Sequence, residues 1–76
     1  MMPIYQTKEV KTKREILKND IKKLRDNGIA DENLIIELEN LGWNFPQYRT
    51  LFSSTRELCM FINIDILNYN GVIWRS

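Results

Sequence analysis

The side chains able to act as nucleophiles are concentrated in one short stretch, residues 53–59, which holds Ser53, Ser54, Thr55 and Cys59. A nucleophile needs a nearby base, and the 76-residue chain contains no histidine. Cys59 also lies inside the apolar run 58–62. Because free cysteines in such surroundings are commonly buried, we interpret Cys59 as an inert core thiol.

The acidic residues do not form a pair suited to acid–base catalysis. Glu37 and Glu39 lie about 200° apart on a helix and cannot converge, whereas Asp31 and Glu32 suit the start of a helix. One cysteine without histidine excludes the usual zinc ligand sets, and the three glycines are isolated. The sequence therefore predicts a protein that is not an enzyme, with no catalytic residue, metal or cofactor.

Two helices are predicted in the first half of the chain. Apolar residues at positions 10, 17, 21 and 24 form one stripe of a helix over residues 8–27, which Gly28 ends. Asp31 is the expected N-cap of a second helix over 32–41, which Gly42 ends. The short linker predicts an antiparallel helical hairpin.

The second half is predicted to mix one helix with short strands. Residues 48–52 suit a strand, although a helical turn starting at Pro46 is an alternative. Ser54 and Glu57 form a capping box that opens a third helix reaching about Asn68, and residues 72–74 suit a terminal strand. Strand-like alternation over 62–66, before the turn sequence at 70–71, supports a C-terminal hairpin instead.

These elements predict an α+β fold that is mostly α. It consists of an antiparallel helical hairpin, a third apolar helix and one or two short strands, and the alternative is a winged-helix-like C-terminal β-hairpin. We expect one small domain over residues 1–76, with 1–6 as a flexible lead. On the third helix Asp65 falls on the apolar side, so we expect it to meet a cation such as Arg49 or Arg75, or the dipole of the first or second helix.

Charge is distributed unevenly along the chain. Residues 1–29 carry eight cations and four carboxylates, a net charge of +4, and residues 30–76 carry three cations and six carboxylates, a net charge of −3. A third helix that is apolar on nearly every side must be buried on both sides, and so small a domain has few elements to cover it. We therefore expect an interface, either with another protein or as a homodimer.

The predicted function is a small non-enzymatic regulator or inhibitor that acts by protein–protein contact. Its predicted contact residues are Ile36, Met60, Ile64 and Leu67 on apolar faces, and Lys11, Lys18, Lys22 and Lys23 on the first helix, which would meet an acidic surface. The bias toward Ile, Asn and Lys suggests an AT-rich genome and a phage or mobile-element origin. No apolar run approaches a membrane span, and one unpaired cysteine favours the cytoplasm.

Nucleic-acid binding is the alternative function. Residues 41–51 resemble the turn and second helix of a helix-turn-helix motif, in which 45–52 would be the reading helix. Asn44, Gln47 and Arg49, with Lys22 and Lys23, are the candidate nucleic-acid contacts. Leu38 stands where that motif has a small residue, and Pro46 falls within the proposed helix.

Overall fold

The computed structural model describes residues 8–75, and their backbone is helical throughout its regular parts. The helices are α1 (Lys8–Asp26), α2 (Asp31–Asn40), α3 (Phe45–Leu51) and α4 (Thr55–Ile62), followed by a single 3₁₀ turn, Ile66–Asn68. No strand forms within this described part of the chain. The predicted α+β class is therefore wrong, as is the β-hairpin alternative, and residues 1–6 lie outside the described range.

The helical hairpin of α1 and α2 is confirmed, and glycines end both helices. Gly28 has a φ of 84°, and Ile29 N–H donates to the Leu24 carbonyl at 3.1 Å. Gly42 has a φ of 105°, and Trp43 N–H donates to the Leu38 carbonyl at 3.0 Å. Left-handed backbone angles favour glycine, so both helix ends are encoded locally.

The start of α2 differs from the prediction. Ala30 is the N-cap and makes no side-chain capping bond, whereas the predicted cap Asp31 is the first helical residue. The Asp31 carboxylate instead accepts a hydrogen bond from Arg25 at 3.1 Å. This ion pair joins the end of α1 to the start of α2 across the short linker.

The predicted strand at residues 48–52 is wrong, because most of this segment belongs to α3. The Gln47 N–H donates to the Asn44 side-chain oxygen at 3.4 Å, and the Gln47 side chain accepts from the Asn44 N–H at 3.1 Å. This reciprocal capping box fixes the start of the helix, and Pro46 in the first turn has a φ suited to it. Tyr48 and Leu51 are then buried.

Ser54 caps α4 as predicted, but the helix is shorter than expected. The Glu57 N–H donates to the Ser54 hydroxyl at 3.2 Å, while the Glu57 side chain accepts from the Ser53 N–H. The helix ends at Ile62 because Asn63 takes the left-handed conformation, with φ 59° and ψ 50°. Asparagine tolerates this region better than most residues, and the turn lets Ile64 fold back into the core.

Asp65 does not lie on an apolar helix face, so its predicted pairing with Arg49 or Arg75 is also wrong. The residue is exposed, and its carboxylate accepts the Leu67 N–H at 2.9 Å at the start of the 3₁₀ turn. A carboxylate in this position stabilises a turn without needing a cation, because it satisfies a free backbone donor.

The predicted terminal strand at residues 72–74 is wrong, because this segment forms no regular secondary structure and is tied to α4 instead. The Trp74 N–H donates to the Thr55 hydroxyl at 2.7 Å, and the Thr55 N–H donates to the Trp74 carbonyl at 3.2 Å. Thr55 is fully buried, and the Trp74 ring packs edge-on against Phe45 at 5.5 Å. These contacts replace the sheet pairing that a strand would need.

Helix α1 organises the other three helices around its buried stripe. The core is formed by apolar side chains from every helix and from the C-terminal segment, including Leu17, Ile21, Leu34, Ile35, Leu38, Trp43, Tyr48, Leu51, Phe52, Leu58, Ile62, Tyr69 and Trp74. On one flank of the stripe Trp43 donates its indole N–H to Asp20 at 2.8 Å. The other flank carries two arginines.

These arginines, Arg14 and Arg25, bind the C-terminal ends of α3 and α4. Arg14 donates to the carbonyl of Leu51 and lies over the Phe52 ring at 4.8 Å. Arg25 donates to the carbonyls of Ile62 at 3.1 Å and Asn63 at 3.2 Å. The C-terminal end of a helix carries partial negative charge and backbone carbonyls that have no partner within the helix. Each guanidinium therefore offsets the charge and also donates hydrogen bonds to those carbonyls.

We predict that Arg25→Met lowers the free energy of unfolding by about 1–2 kcal/mol. Bonds to a charged donor contribute about 1.5–3 kcal/mol when buried, and the Arg25 side chain is 32% exposed, which weakens them. Urea unfolding followed by circular dichroism measures the change. The control Lys23→Met alters an exposed residue of the same helix, and an equal loss in both variants would contradict the assigned role of Arg25.

Candidate functional site

Large apolar side chains that remain exposed are concentrated near the C-terminus. Of the eight found within residues 8–75, five lie between positions 60 and 73. We call these five the C-terminal apolar surface: Met60, Ile66, Leu67, Val72 and Ile73. Leu67 is 89% exposed and Met60 74% exposed, so both have most of their apolar area free to contact another molecule.

Met60 points outward because the opposite side of α4 is buried. Leu58, Cys59 and Ile62 face the core, which leaves Met60 exposed one turn after Arg56. Arg56 in turn lines a cleft together with Ile66 and Ile73. Arg56, Ile66 and Ile73 therefore lie around one cleft, and Met60 lies beside Arg56 on the exposed side of α4.

The backbone that carries Ile66 and Leu67 is held by its own hydrogen bonds. Asp65 accepts from the Leu67 N–H through its side chain and from the Asn68 N–H, at 2.8 Å, through its carbonyl. Tyr69, the next residue, is buried. The turn is thus anchored at both ends while its apolar side chains face outward.

Two buried aromatic residues fix the segment that presents Val72 and Ile73. The Tyr69 hydroxyl donates to the Val72 carbonyl at 2.8 Å, and Trp74 is tied to Thr55. Gly71 lies so close to the Tyr69 ring that a Cβ there would be 2.8 Å from the hydroxyl oxygen. Val72 and Ile73 are therefore exposed on a segment whose backbone is held in place.

The cleft beside this surface has a volume of about 410 Å³ and combines apolar and cationic side chains. Its lining comprises Ser54, Thr55, Arg56, Ile66, Ile73, Trp74 and Arg75. Among residues 8–75 no carboxylate lines it, and neither arginine side chain forms a hydrogen bond or an ion pair with these residues. Both positive charges are therefore available to a ligand.

The four apolar residues predicted from the sequence divide into two groups. Ile36, Met60 and Leu67 are exposed, whereas Ile64 is 8% exposed and belongs to the core. Ile36 lies one turn after Glu32, whose backbone carbonyl accepts a hydrogen bond from Asn70 at 2.9 Å. The C-terminal segment thus packs beside α2, the helix that carries Ile36.

Sequence reasoning missed Ile66, Val72 and Ile73. If the helix continued to Asn68, Ile66 would lie on its buried side. If residues 72–74 formed a strand, Val72 and Ile73 would be paired with a neighbouring strand. The signal that could have found them was Asn63, a residue suited to a left-handed helix end, followed by the turn-forming Asp65.

The predicted lysine contacts lie along α1, and all four are exposed. Lys11, Lys18 and Lys22 fall within about 40° of one another on a helix of ~100° per residue, whereas Lys23 lies about 100° further round. Arg14 and Arg25 of the same helix are bound to carbonyls instead. The free positive charge of α1 is therefore smaller than its sequence suggests.

The candidate nucleic-acid contacts of α3 are engaged with neighbouring residues. Asn44 and Gln47 bond to each other in the capping box. The Arg49 guanidinium lies 5.9 Å from the Phe45 ring centroid. Helices α2 and α3 follow one another in the chain and are joined by residues 41–44. The bond from Trp43 to Asp20 places the start of α3 beside α1.

Cys59 and the acidic residues do not assemble a reactive centre in the described region. Cys59 is buried, and burial, with the nearby Asp65 charge, raises the pKa of its thiol. Within residues 8–75 no three His, Cys, Asp or Glu side chains are grouped to hold a metal ion. None of the helices described is both long and apolar enough to cross a bilayer.

Tyr69 gives the C-terminal segment a predictable dependence on pH. Burial raises its pKa from 10.0 to about 12, so the unfolded state loses this proton at lower pH than the folded state. The contribution to stability is complete below pH 10 and is lost as the pH rises through about 12. We predict that Tyr69→Phe flattens the fall in unfolding free energy over this range.

Tryptophan fluorescence during urea unfolding at several alkaline pH values measures this slope. All other residues are the same in both proteins, so their contributions cancel in the comparison, including that of Tyr48, whose pKa is also raised by burial. Identical slopes for the two proteins would show that Tyr69 ionises equally easily in both states.

Comparison with protein-family models, with curated proteins and with solved structures found no match to this chain. The function is therefore argued from the surface of the molecule. The features that support a function are the C-terminal apolar surface and the cationic cleft beside it.

Proposed function

We propose that this protein is a small binding module that recognises another protein through its C-terminal apolar surface. It regulates that partner by covering the part of the partner's surface that it contacts. The observation that carries the proposal is the exposure of Met60 and Leu67 on anchored backbone. Soluble proteins rarely leave contiguous large apolar patches uncovered unless a partner binds them.

The exposed area of Met60 and Leu67 determines how much binding energy a partner gains by covering them. Fully burying one Leu or Met side chain contributes about 1.5–3 kcal/mol, so covering the exposed parts of both residues contributes about 2.5–5 kcal/mol. The lower end of that range corresponds to a change of about 100-fold in the dissociation constant. The remaining residues of the surface, Ile66, Val72 and Ile73, are also exposed and add to the apolar area that a partner can cover.

We predict that the double variant Met60→Gln, Leu67→Gln folds normally but loses its partner. Both residues are exposed, so the unfolding free energy should change by no more than about 0.5 kcal/mol per site. Affinity purification from the native host, quantified by mass spectrometry, should show at least a tenfold loss of a protein that the wild-type chain captures.

A matched control tests whether the position of the apolar residues matters. Ile16→Gln with Leu41→Gln makes the same chemical change at two exposed residues outside the surface, on α1 and just after α2. The control should retain the partner. If the Met60 and Leu67 variant keeps every partner and any self-association, the proposed site is wrong.

Nucleic-acid binding is the second candidate, favoured by two consecutive helices, α2 and α3, that are joined by a short turn at residues 41–44. Phosphate binding must weaken steeply as salt rises, because it releases counterions. A gel-shift assay at two salt concentrations separates the candidates. The protein-binding proposal predicts no shifted band at low salt, whereas a band that fades with salt and weakens in Lys22→Gln, Lys23→Gln would favour DNA binding.

A further inference from the structure

Resting on the proposed function, we propose that the cleft between α4 and the C-terminal segment binds an acidic–apolar segment of the partner protein. A carboxylate of that segment would lie between Arg56 and Arg75, and a neighbouring apolar side chain would pack on Ile66 and Ile73. All four residues line the cleft.

Charge complementarity identifies this occupant. Arg56 and Arg75 are two of only three cations in residues 30–76, a region with a net charge of −3. Both face the same cleft, and neither is neutralised within the described residues. Two uncompensated guanidinium groups at one site favour a carboxylate, which each can bind through paired N–H groups.

The carboxylates nearest in sequence are occupied elsewhere. Glu57 follows Arg56 but accepts from the Ser53 N–H at 2.9 Å and faces Arg14 at 3.9 Å. Asp65 precedes Ile66 but accepts from the Leu67 N–H. Residues 8–75 therefore supply no internal partner for the two arginine side chains, although they hold acids close by in sequence.

The apolar part of the cleft distinguishes this ligand from a simple anion. Ile73 is 60% exposed and Ile66 43% exposed, so a bare anion would leave their surface in water. A segment with alternating acidic and apolar residues meets both requirements at once. The cleft also adjoins Met60, one turn after Arg56, so the same partner could cover both.

The test is a titration of the full chain, labelled with nitrogen-15, followed by NMR. The probe is a short peptide of alternating leucine and aspartate, and its controls replace aspartate by asparagine or leucine by serine. We expect the amide signals of Arg56, Ile66, Ile73 and Arg75 to move with the leucine–aspartate peptide. Each control peptide should bind about tenfold more weakly.

The variant Arg56→Gln, Arg75→Gln should bind the leucine–aspartate peptide about tenfold more weakly, while Lys18→Gln, Lys22→Gln should bind it as the wild type does. Equal binding of the aspartate and asparagine peptides by the wild-type chain would overturn the inference without any variant. The inference would also be overturned if inorganic phosphate moved the same four amide signals as much as the leucine–aspartate peptide does, because that result would indicate a simple anion site.

The outcome is separable from that of the proposed function. If the peptide fails to bind but Met60→Gln, Leu67→Gln still loses the captured protein, the cleft inference is wrong and the protein-binding function stands. If the peptide binds but that variant keeps its partners, the C-terminal apolar surface is not the binding site.

Discussion

The interaction on which the rest of the structure depends is the binding of two arginines of α1 to the carbonyl ends of two other helices. Arg14 and Arg25 are eleven residues apart, about 16 Å along a helix, and they point to the same side. Arg14 reaches Leu51 and Glu57, and Arg25 reaches Ile62. Because the start of α4 lies by Arg14 and its end by Arg25, α4 runs in the same direction as α1. The buried residues Leu58, Cys59 and Ile62 turn one side of α4 to the core, and the opposite side, which carries Arg56 and Met60, is exposed.

The uneven charge of the sequence has a structural consequence. The basic first helix directs its arginines at backbone carbonyls, and its lysines remain in solvent. In the acidic second half, Arg56 and Arg75 form no ion pair with a carboxylate of the described residues. These two unpaired arginines occur where exposed apolar residues are densest. A combination of arginine and apolar side chains is typical of protein interfaces.

Structural features that depend on only a few neighbouring residues could be predicted from the sequence. Helix ends at Gly28 and Gly42 and the cap at Ser54 follow from local backbone chemistry, and the structure confirms them. The end of α4 was less predictable, because the alternating isoleucines near Asn63 fit a helix or a strand equally well. Residues 72–74 look like a strand, yet they are fixed by the contact between Trp74 and Thr55, nineteen residues apart. The site was predicted only in part for the same reason, since which isoleucines are exposed depends on that distant contact.

The central claim is that the C-terminal apolar surface is where another protein binds, and position-specific photo-crosslinking in the native host tests it most directly. A photoreactive side chain at Leu67, which is 89% exposed, is compared with one at Ile16, which is 48% exposed on α1. The account predicts a discrete crosslinked protein, or a second copy of the chain, from position 67 and not from position 16. No crosslink at position 67, or the same crosslinks from both positions, would contradict it.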